Sequence, residues 1–246
     1  MGYKFNSQKH IHELNGKPLH GVTSVLKYWG DPNPLLNWGV KTAVDYIEDH
    51  RAVWGSSDHD EMIANARKAH TQKRDKAGDK GTEVHSWLED SIYDLMNGNP
   101  FDGERPKVVD DVLNWAKLEG IKFLASEMNV WSEKHWYGGI ADGVIEKEGK
   151  KYILDFKTSG TVQTKYFYQM GAYSLAVKEM KEHAQVDGVV IVHIPRGKSF
   201  DPKKNVYWYT DMNKLEQAWL NILNAYKADK SLQELVAYKP KTSIKI

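Results

Sequence analysis

The stretch at residues 139–157, GIADGVIEKEGKKYILDFK, predicts a β-hairpin around which the fold is organised. Residues 139–146 and 151–157 have the β-branched and apolar content that is typical of strands. The polar segment 147–150 between them contains Gly149, whose backbone freedom suits a tight turn. The sequence therefore predicts two antiparallel strands joined by a short connection.

The patterns on either side of this hairpin differ from each other. Upstream, polar segments and apolar residues that recur at helical spacing predict helices at 58–77, 82–96 and 107–118. Gly78 and Gly81 are expected to separate the first of these helices from the second. Other predicted elements are a strand at 125–131, a helix at 162–180, strands at 188–194 and 205–210, and a helix at 211–228. This order predicts an α/β fold of mixed type, a central mixed sheet flanked by helices behind a helical N-terminal half. We expect a mainly helical part at 1–120 packed on a core at 121–246, in one compact unit.

The composition of the 246-residue chain indicates a globular protein without a general affinity for polyanions. The 34 Lys and Arg residues face 33 Asp and Glu residues, a formal net charge of +1, so a nucleic-acid site would have to be a local patch. The absence of cysteine excludes disulfides, thiolate zinc sites, cysteine nucleophiles and cysteine-bound iron–sulfur clusters. Any metal ion must therefore be bound by His, Asp or Glu side chains.

The triplet Asp155-Phe156-Lys157 is the strongest candidate for catalysis. Acid-x-Lys triplets are common in a chain with 27% charged residues, but this one ends an apolar strand and has Asp142 on the neighbouring strand. Alternate strand residues share a face, so Asp155 and Lys157 lie on the same side. Two carboxylates held close together repel each other unless a proton or a metal ion intervenes. With a lysine beside them they suit phosphodiester hydrolysis, in which a metal ion activates water and a cation orients it.

Motifs on both sides of this triplet match, in order and spacing, those of a known nuclease superfamily. They are Gly81-x-x-x-His85 at a helix start, Ala141-Asp142, Asp155-Phe156-Lys157, and the i,i+4 pair Gln169 and Tyr173. On these residues the chain resembles the PD-(D/E)XK nuclease superfamily, and within it the RecB-like exonuclease branch, which includes phage and mitochondrial exonucleases. Ala141 replaces the proline of the usual motif. The cysteines of some relatives are absent, so the resemblance implies no iron–sulfur cluster.

The resemblance implies a restriction-endonuclease-like core that binds Mg²⁺ or Mn²⁺. Asp142, Asp155 and Lys157 would be the catalytic residues. The metal ligands would be Asp142, Asp155, the Phe156 backbone carbonyl and His85, and imidazole ligation suits Mn²⁺ as well as Mg²⁺. Lys157 would position or deprotonate the attacking water. One metal ion and two metal ions both remain open.

A second set of residues is expected to support the site or to contact DNA. Glu89, one helical turn after His85, would orient His85 or bind a second metal through water, with an ordinary surface acid as the alternative. Glu127, near the start of the strand before the hairpin, would join the acidic cluster. The remaining candidates for support or phosphate contact are Gln169, Tyr173, Thr158, Ser159, Arg196 and Lys198. For Gln169 and Tyr173 the alternative is plain helix packing, since Tyr173 also fits an apolar stripe with Tyr166 and Met170. For Thr158 and Ser159 the alternative is strand-end capping, and for Arg196 and Lys198 it is a solvated basic loop.

The predicted function is that of a metal-dependent DNA exonuclease in DNA recombination, repair or phage DNA processing. Three alternatives stay open: a structure-specific or restriction-type endonuclease on the same fold, a non-catalytic DNA-binding subunit, and a small-molecule hydrolase that uses the same carboxylates. The expected partners are DNA, single-stranded or with free ends, and a single-strand-annealing or single-strand-binding protein.

The sequence contains no segment that indicates export or membrane insertion. The first residues, MGYKFNSQKH, lack the apolar core of a signal peptide, and no stretch of roughly 18 uncharged apolar residues occurs. We therefore expect no membrane partner and a cytoplasmic location, in a bacterium or a phage-infected host, with an organelle as the open alternative.

Overall fold

The computed structural model of the chain describes residues 2–30, 33–56, 58–99, 104–180 and 185–237. It divides into two compact units: Met1–Trp29 with Ser91–Ile246 forms the first, and Gly30–Asp90 forms the second. The boundary expected near residue 120 falls inside the first unit. The interpretation of residues 1–120 as a mainly helical part packed on a core at 121–246 stays a prediction.

The first unit contains two β-sheets. Its strands are β1 (Tyr3–Asn6), β2 (Ile11–Leu14), β3 (Lys17–Pro18), β4 (His20–Gly21), β5 (Lys122–Ser132), β6 (Tyr137–Lys147), β7 (Lys150–Lys157), β8 (Gly188–His193) and β9 (Val206–Tyr209). The first three form a small antiparallel sheet, and the other six form a sheet of order β4-β6-β7-β8-β9 with β5 paired to the other edge of β6. Pairing is antiparallel between β6 and β7 and parallel between β7 and β8, so the predicted mixed sheet is confirmed.

The hairpin predicted at 139–157 is formed by β6 and β7. Lys147 pairs with Lys150, and the two residues between them, Glu148 and Gly149, have φ values of 52° and 76°. Two successive positive φ angles are the signature of a two-residue type I′ turn, whose twist matches that of antiparallel strands. The glycine at the second turn position takes this conformation without steric cost.

The helices confirm most of the predicted elements and correct one of them. They are α1 (Val22–Tyr28), α2 (Asn33–Asp49), a 3₁₀ helix (Arg51–Ser56), α3 (His59–Met96), α4 (Lys107–Leu118), α5 (Thr164–Glu179), α6 (Pro202–Asn205) and α7 (Met212–Ala237). The prediction of two helices separated at Gly78 and Gly81 is wrong, because α3 runs through both glycines. A glycine in a helix interior costs about 1 kcal/mol relative to alanine, too little to end a helix that is otherwise favourable.

The core of the first unit lies between the large sheet and three helices. Val22 of α1, Tyr173 of α5 and Trp219 of α7 are buried with Ile153 and Ile191 of the sheet. On the opposite face, the α4 residue Trp115 lies 6.5 Å from the Trp208 ring of β9. Helices therefore cover both faces of the sheet. None of the helices in the described ranges is long and apolar enough to cross a membrane.

The backbones of α5 and α7 approach each other at Gly171. A Cβ atom at this position would lie 2.2 Å from the carbonyl oxygen of Leu215, a distance that no side chain can occupy. Glycine is therefore required for this close approach of α7 to α5, the helix that also carries Gln169 and Tyr173.

Candidate active site

The strands β6 and β7 stop pairing at the two predicted catalytic acids. Their last ladder pair is Gly143 with Leu154, so the next positions in the register are Asp142 and Asp155. There the backbone N–H of Phe156 donates to Asp142 Oδ2 over 2.6 Å, and a side chain replaces the main-chain partner. The N–H and C=O of one strand residue point towards the same neighbouring strand, so the Phe156 carbonyl also faces β6. The structure thus brings Asp142, Asp155 and Phe156 to one point of the sheet.

Lys157 completes this group from the end of β7. Its Nζ atom forms an ion pair with Asp155 Oδ2, and the two side chains are only 15% and 1% exposed. The same Nζ lies 5.2 Å from the centre of the Tyr166 ring on α5, within the range of a cation–π contact. Sequence reasoning missed Tyr166 as part of the site, because its spacing on α5 indicated only a buried apolar stripe.

Burial and charge shift the pKa values of these groups in ways that affect their chemistry. Burial raises the pKa of the Asp142 carboxyl above its ordinary value; Lys157 and the Phe156 N–H oppose this shift, and the charge of Glu127 adds to it. Burial acts to lower the pKa of the Lys157 ammonium, but the carboxylates of Asp155 and Asp142 outweigh it and raise that pKa. Lys157 is therefore protonated at neutral pH in this state, so it can donate hydrogen bonds but cannot accept a proton.

The pair Gln169 and Tyr173 lies on the buried face of α5. Gln169 Nε2 donates to Tyr173 Oη over 2.6 Å, so the amide contacts the tyrosine of its own motif. Burial raises the pKa of Tyr173 well above its ordinary value, and the charges of Asp155 and Asp142 add to this effect. A Cβ atom at Gly139 would lie 2.7 Å from Tyr173 Cε1, so β6 and the tyrosine ring are in close contact. Tyr173 therefore lies within electrostatic reach of Asp155 and Asp142, and the supporting role of the two motif residues stays a prediction.

Glu127 occupies the register position opposite Asp142 on β5. Its neighbours Ser126 and Met128 pair with Gly143 and Ala141, and Glu127 itself has a φ of 46°. A positive φ is uncommon for a residue with a side chain, and such conformations often occur at functional sites. The side chain is exposed, and its charge acts on the Asp142 carboxyl. The structure therefore brings Glu127 to the edge of the acidic group.

The segment that follows Lys157 is hydrogen-bonded to the end of β8. Arg196 Nε donates to the Thr158 carbonyl oxygen over 2.6 Å, and His193 Nε2 lies 2.7 Å from the Ser159 carbonyl oxygen. The Ser159 hydroxyl donates to the carbonyl oxygen of Thr161, within its own turn. Lys198 is exposed in the same loop as Arg196. His193 was not predicted, since a lone histidine in an apolar strand carries no sequence signal.

The predicted ligands His85 and Glu89 lie on α3 in the second unit. They are one helical turn apart, and both side chains are half-buried. Their assignment to the metal site stays a prediction. In the part of the chain that the structure describes, no group of three or more His, Asp or Glu side chains is arranged to hold a metal ion.

Tyr3, on the N-terminal strand β1, is a further residue that sequence reasoning missed. Its hydroxyl lies 2.6 Å from His12 Nδ1 and donates to Asn129 Oδ1 over 3.2 Å, and its ring stacks on Trp131 at 4.6 Å. Burial raises the pKa of Tyr3 to about 12, and its charge acts on Tyr173. No pattern in residues 3–6 predicted a strand there, so this contact has no sequence signal.

Comparisons with known proteins add little to this geometry. No protein-family model matches the chain, and no curated protein matches it in sequence. Among solved structures, the chain is similar to the crystal structure of SSO0001, with a TM-score of 0.31 and 13% sequence identity over 83% of this chain and 75% of that one. A similarity this low carries no argument about fold or function.

Proposed function

We propose that this chain is a metal-dependent deoxyribonuclease that hydrolyses phosphodiester bonds from a DNA end. The observation that carries the proposal is the convergence of Asp142, Asp155 and Lys157 where β6 and β7 stop pairing. Two carboxylates and a lysine on adjacent strand ends suit phosphodiester hydrolysis, because the carboxylates can hold a metal ion and the lysine can orient the attacking water.

The donor atoms at this point fit Mg²⁺ or Mn²⁺. The Asp142 and Asp155 carboxylates and the Phe156 carbonyl are hard oxygen ligands, the type that these cations prefer. Burial raises the pKa of Asp142 because it penalises the isolated carboxylate, and a bound cation would offset that penalty. On the resemblance in sequence alone, His85 is a further proposed ligand. When bound, the ion supplies positive charge against the developing charge of the phosphate.

The protein residues around the ion have separate proposed roles. Asp142 is held by the Phe156 N–H, so the orientation of its carboxylate is set before substrate binds. Lys157 is protonated and donates a hydrogen bond, so it orients the attacking water or the phosphate and stabilises its charge. Gln169 and Tyr173 fix the helix-side wall of the site through their hydrogen bond.

The finer parts of the proposal rest on the resemblance in sequence. Attack from a DNA end, in place of cleavage within a strand, follows from the RecB-like spacing of the motifs at 81–85 and 169–173. The same resemblance supports a role in DNA recombination, repair or phage DNA processing, in the cytoplasm of a bacterium or a phage-infected host. A single-strand-annealing or single-strand-binding protein is the proposed partner.

Digestion of end-labelled DNA tests the proposal directly. The purified chain is incubated with linear single-stranded, linear duplex and closed circular duplex DNA in Mg²⁺, Mn²⁺ or EDTA. We expect both linear substrates to be degraded in either metal, with single strands degraded at least as fast as duplex. EDTA should stop the reaction, and closed circles should survive. Rapid nicking of closed circles would contradict the exonuclease assignment and indicate an endonuclease, while the proposed metal site would be unaffected.

Two variants distinguish digestion by this site from digestion by a contaminating nuclease. Asp155→Ala should lower the rate by about three orders of magnitude or more, since it removes charge that acts on the transition state. Lys150→Ala is the matched control, because Lys150 lies at the opposite end of β7 from Lys157 and is exposed. Near-normal digestion by folded Asp155→Ala protein would overturn the assignment, as would equal losses in both variants.

A further inference from the structure

A groove of about 580 Å³ lies in the first unit at the end of strands β7 and β8. We call it the basic groove, and it is defined by Thr161, His193, Arg196, Lys198, Lys204 and Tyr207. Its walls come from the segment that follows β7 and from the loop and short helix α6 that follow β8. All of these residues belong to the same unit as Asp142, Asp155 and Lys157.

The basic groove begins next to the proposed catalytic lysine. His193 is the register partner of Lys157 across the parallel pair, and the backbone N–H of Ile194 donates to the Lys157 carbonyl oxygen over 2.8 Å. Arg196 is bonded to the Thr158 carbonyl oxygen. Gly160, on the groove wall, is three residues after Lys157, which a chain can span in at most about 11 Å. A ligand in the groove would therefore be close to the reacting phosphate.

The charge of the groove is positive in a chain that is close to neutral. Arg196, Lys198 and Lys204 face it with a single acid, Asp201, which pairs with Lys204 over 3.1 Å. The hydrogen bond from Lys204 lowers the pKa of Asp201 although burial opposes this, and the nearby Lys203 lowers it further. With a net charge of +1, the chain can bind a polyanion only through a local basic patch, and these cations form such a patch.

Buried polar residues form a fixed floor under these cations. His193 and Asn205 are 6% and 9% exposed. His193 Nε2 lies 2.7 Å from the Ser159 carbonyl oxygen and its Nδ1 lies 3.4 Å from Asn205 Nδ2, while Asn205 Oδ1 accepts from the Asp201 N–H over 2.9 Å. This network ties the two walls together, so the groove is formed before a ligand binds and little ordering is needed on binding.

We propose that the basic groove binds the phosphodiester backbone of the DNA strand next to the phosphate that is cleaved. This inference rests on the proposed nuclease function and adds the path of the substrate beyond Lys157. Arg196 and Lys198 contact phosphate oxygens, and Lys204 supports them from α6. Because the contacts are to the backbone, binding is independent of base sequence and weakens as salt concentration rises.

Binding measured in EDTA tests the groove without any cleavage. The affinity of a fluorescently labelled single-stranded oligonucleotide is followed by anisotropy over a range of salt concentrations. The double variant Arg196→Ala/Lys198→Ala should raise Kd about tenfold or more at low salt, and lower the slope of log Kd against log salt by about 1.4, the value for two lost single-strand contacts. Lys198→Ala/Lys204→Ala, which keeps the Arg196 bond to Thr158, should act in the same direction.

Lys122→Ala/Lys150→Ala is the charge-matched control, since both lysines are exposed near the opposite end of the β6–β7 hairpin. The control should keep Kd within about twofold of the original protein. The groove proposal is overturned if the groove variants bind like the control, or if the unaltered chain does not bind DNA in EDTA. A different outcome is loss of binding in the groove variants together with no digestion by the unaltered chain in Mg²⁺ or Mn²⁺. This outcome would overturn the proposed nuclease function but would support the groove as a DNA-binding site.

Discussion

The backbone N–H of Phe156 donates to Asp142 Oδ2 over 2.6 Å, where a main-chain carbonyl would continue the ladder between β6 and β7. The Asp142 side chain thus takes the place of a main-chain partner at the point where β6 and β7 stop pairing. The hydrogen bond from the β7 backbone in turn fixes the orientation of this side chain. The cost of this arrangement is a carboxylate in a site that disfavours its charge, as the raised pKa of Asp142 indicates.

We expect Asp142→Asn to raise thermal stability at neutral pH while it abolishes activity. Because the pKa of Asp142 is raised in the folded state, the protein takes up a proton on folding when the pH lies between the unfolded-state and folded-state pKa values. Stability therefore falls as pH rises through this window, and the penalty is fully present above the folded pKa. The neutral amide does not carry this penalty and can still accept from Phe156.

Thermal unfolding between about pH 4 and pH 8 checks this prediction, since an unperturbed aspartate titrates near 3.9. The stability gain of Asp142→Asn should be largest at the upper end and should shrink towards the lower end. Glu133→Gln, a charge change at an exposed position, is the control and should show no such trend. A constant gain at every pH would contradict the assigned cause.

For His85→Ala we expect loss of Mn²⁺ affinity without loss of DNA binding in EDTA. Removing a ligand should weaken metal binding by at least the roughly 10–100-fold typical of outer-shell changes. Calorimetric titration with Mn²⁺ measures the effect. His70→Ala is the matched control, because His70 is another half-buried histidine of α3. A His85→Ala protein with a lower Tm and unchanged Mn²⁺ affinity would make His85 a packing residue.

Tyr173→Phe should destabilise the protein by about 1–3 kcal/mol, because it leaves the buried Gln169 amide without its acceptor. The double variant Gln169→Leu/Tyr173→Phe should recover part of this loss, since both polar partners are then removed together. Urea denaturation of the four proteins in the cycle gives the coupling energy. A coupling energy near zero would show that the hydrogen bond contributes nothing to stability.

Two glycines should respond to alanine in opposite directions. Gly171→Ala should cost about 2 kcal/mol or more, because its Cβ would lie 2.2 Å from the Leu215 carbonyl oxygen and would force α5 and α7 apart. Gly78→Ala should stabilise α3 by about 0.5–1 kcal/mol, since the position is helical and no atom lies within 4 Å of an added Cβ. Urea denaturation measures both, and destabilisation by Gly78→Ala would indicate a helix break at that position.

Local sequence determined the hairpin that carries the site. The β-branched and apolar residues of both strands and the glycine at position 149 are sufficient to predict two strands and a tight turn, because these signals act between residues close in the chain. The two-residue period then places Asp155 and Lys157 on one face. The acid-x-Lys triplet and the opposing Asp142 could therefore be identified before any tertiary contact was known.

The remaining features depend on residues that are far apart in the chain, and only the tertiary structure decided them. The two-residue strand β4 exists because His20 and Gly21 pair with Tyr137 and Gly138, and no local pattern could indicate it. Tyr3 reaches Asn129 and Trp131 in the same way. The basic groove likewise forms only when the parallel pairing of β7 with β8 brings two loop segments together. Local sequence patterns indicate whether a segment forms a helix or a strand and which of its faces is buried. Which other element packs against that face depends on tertiary packing, which involves the whole chain.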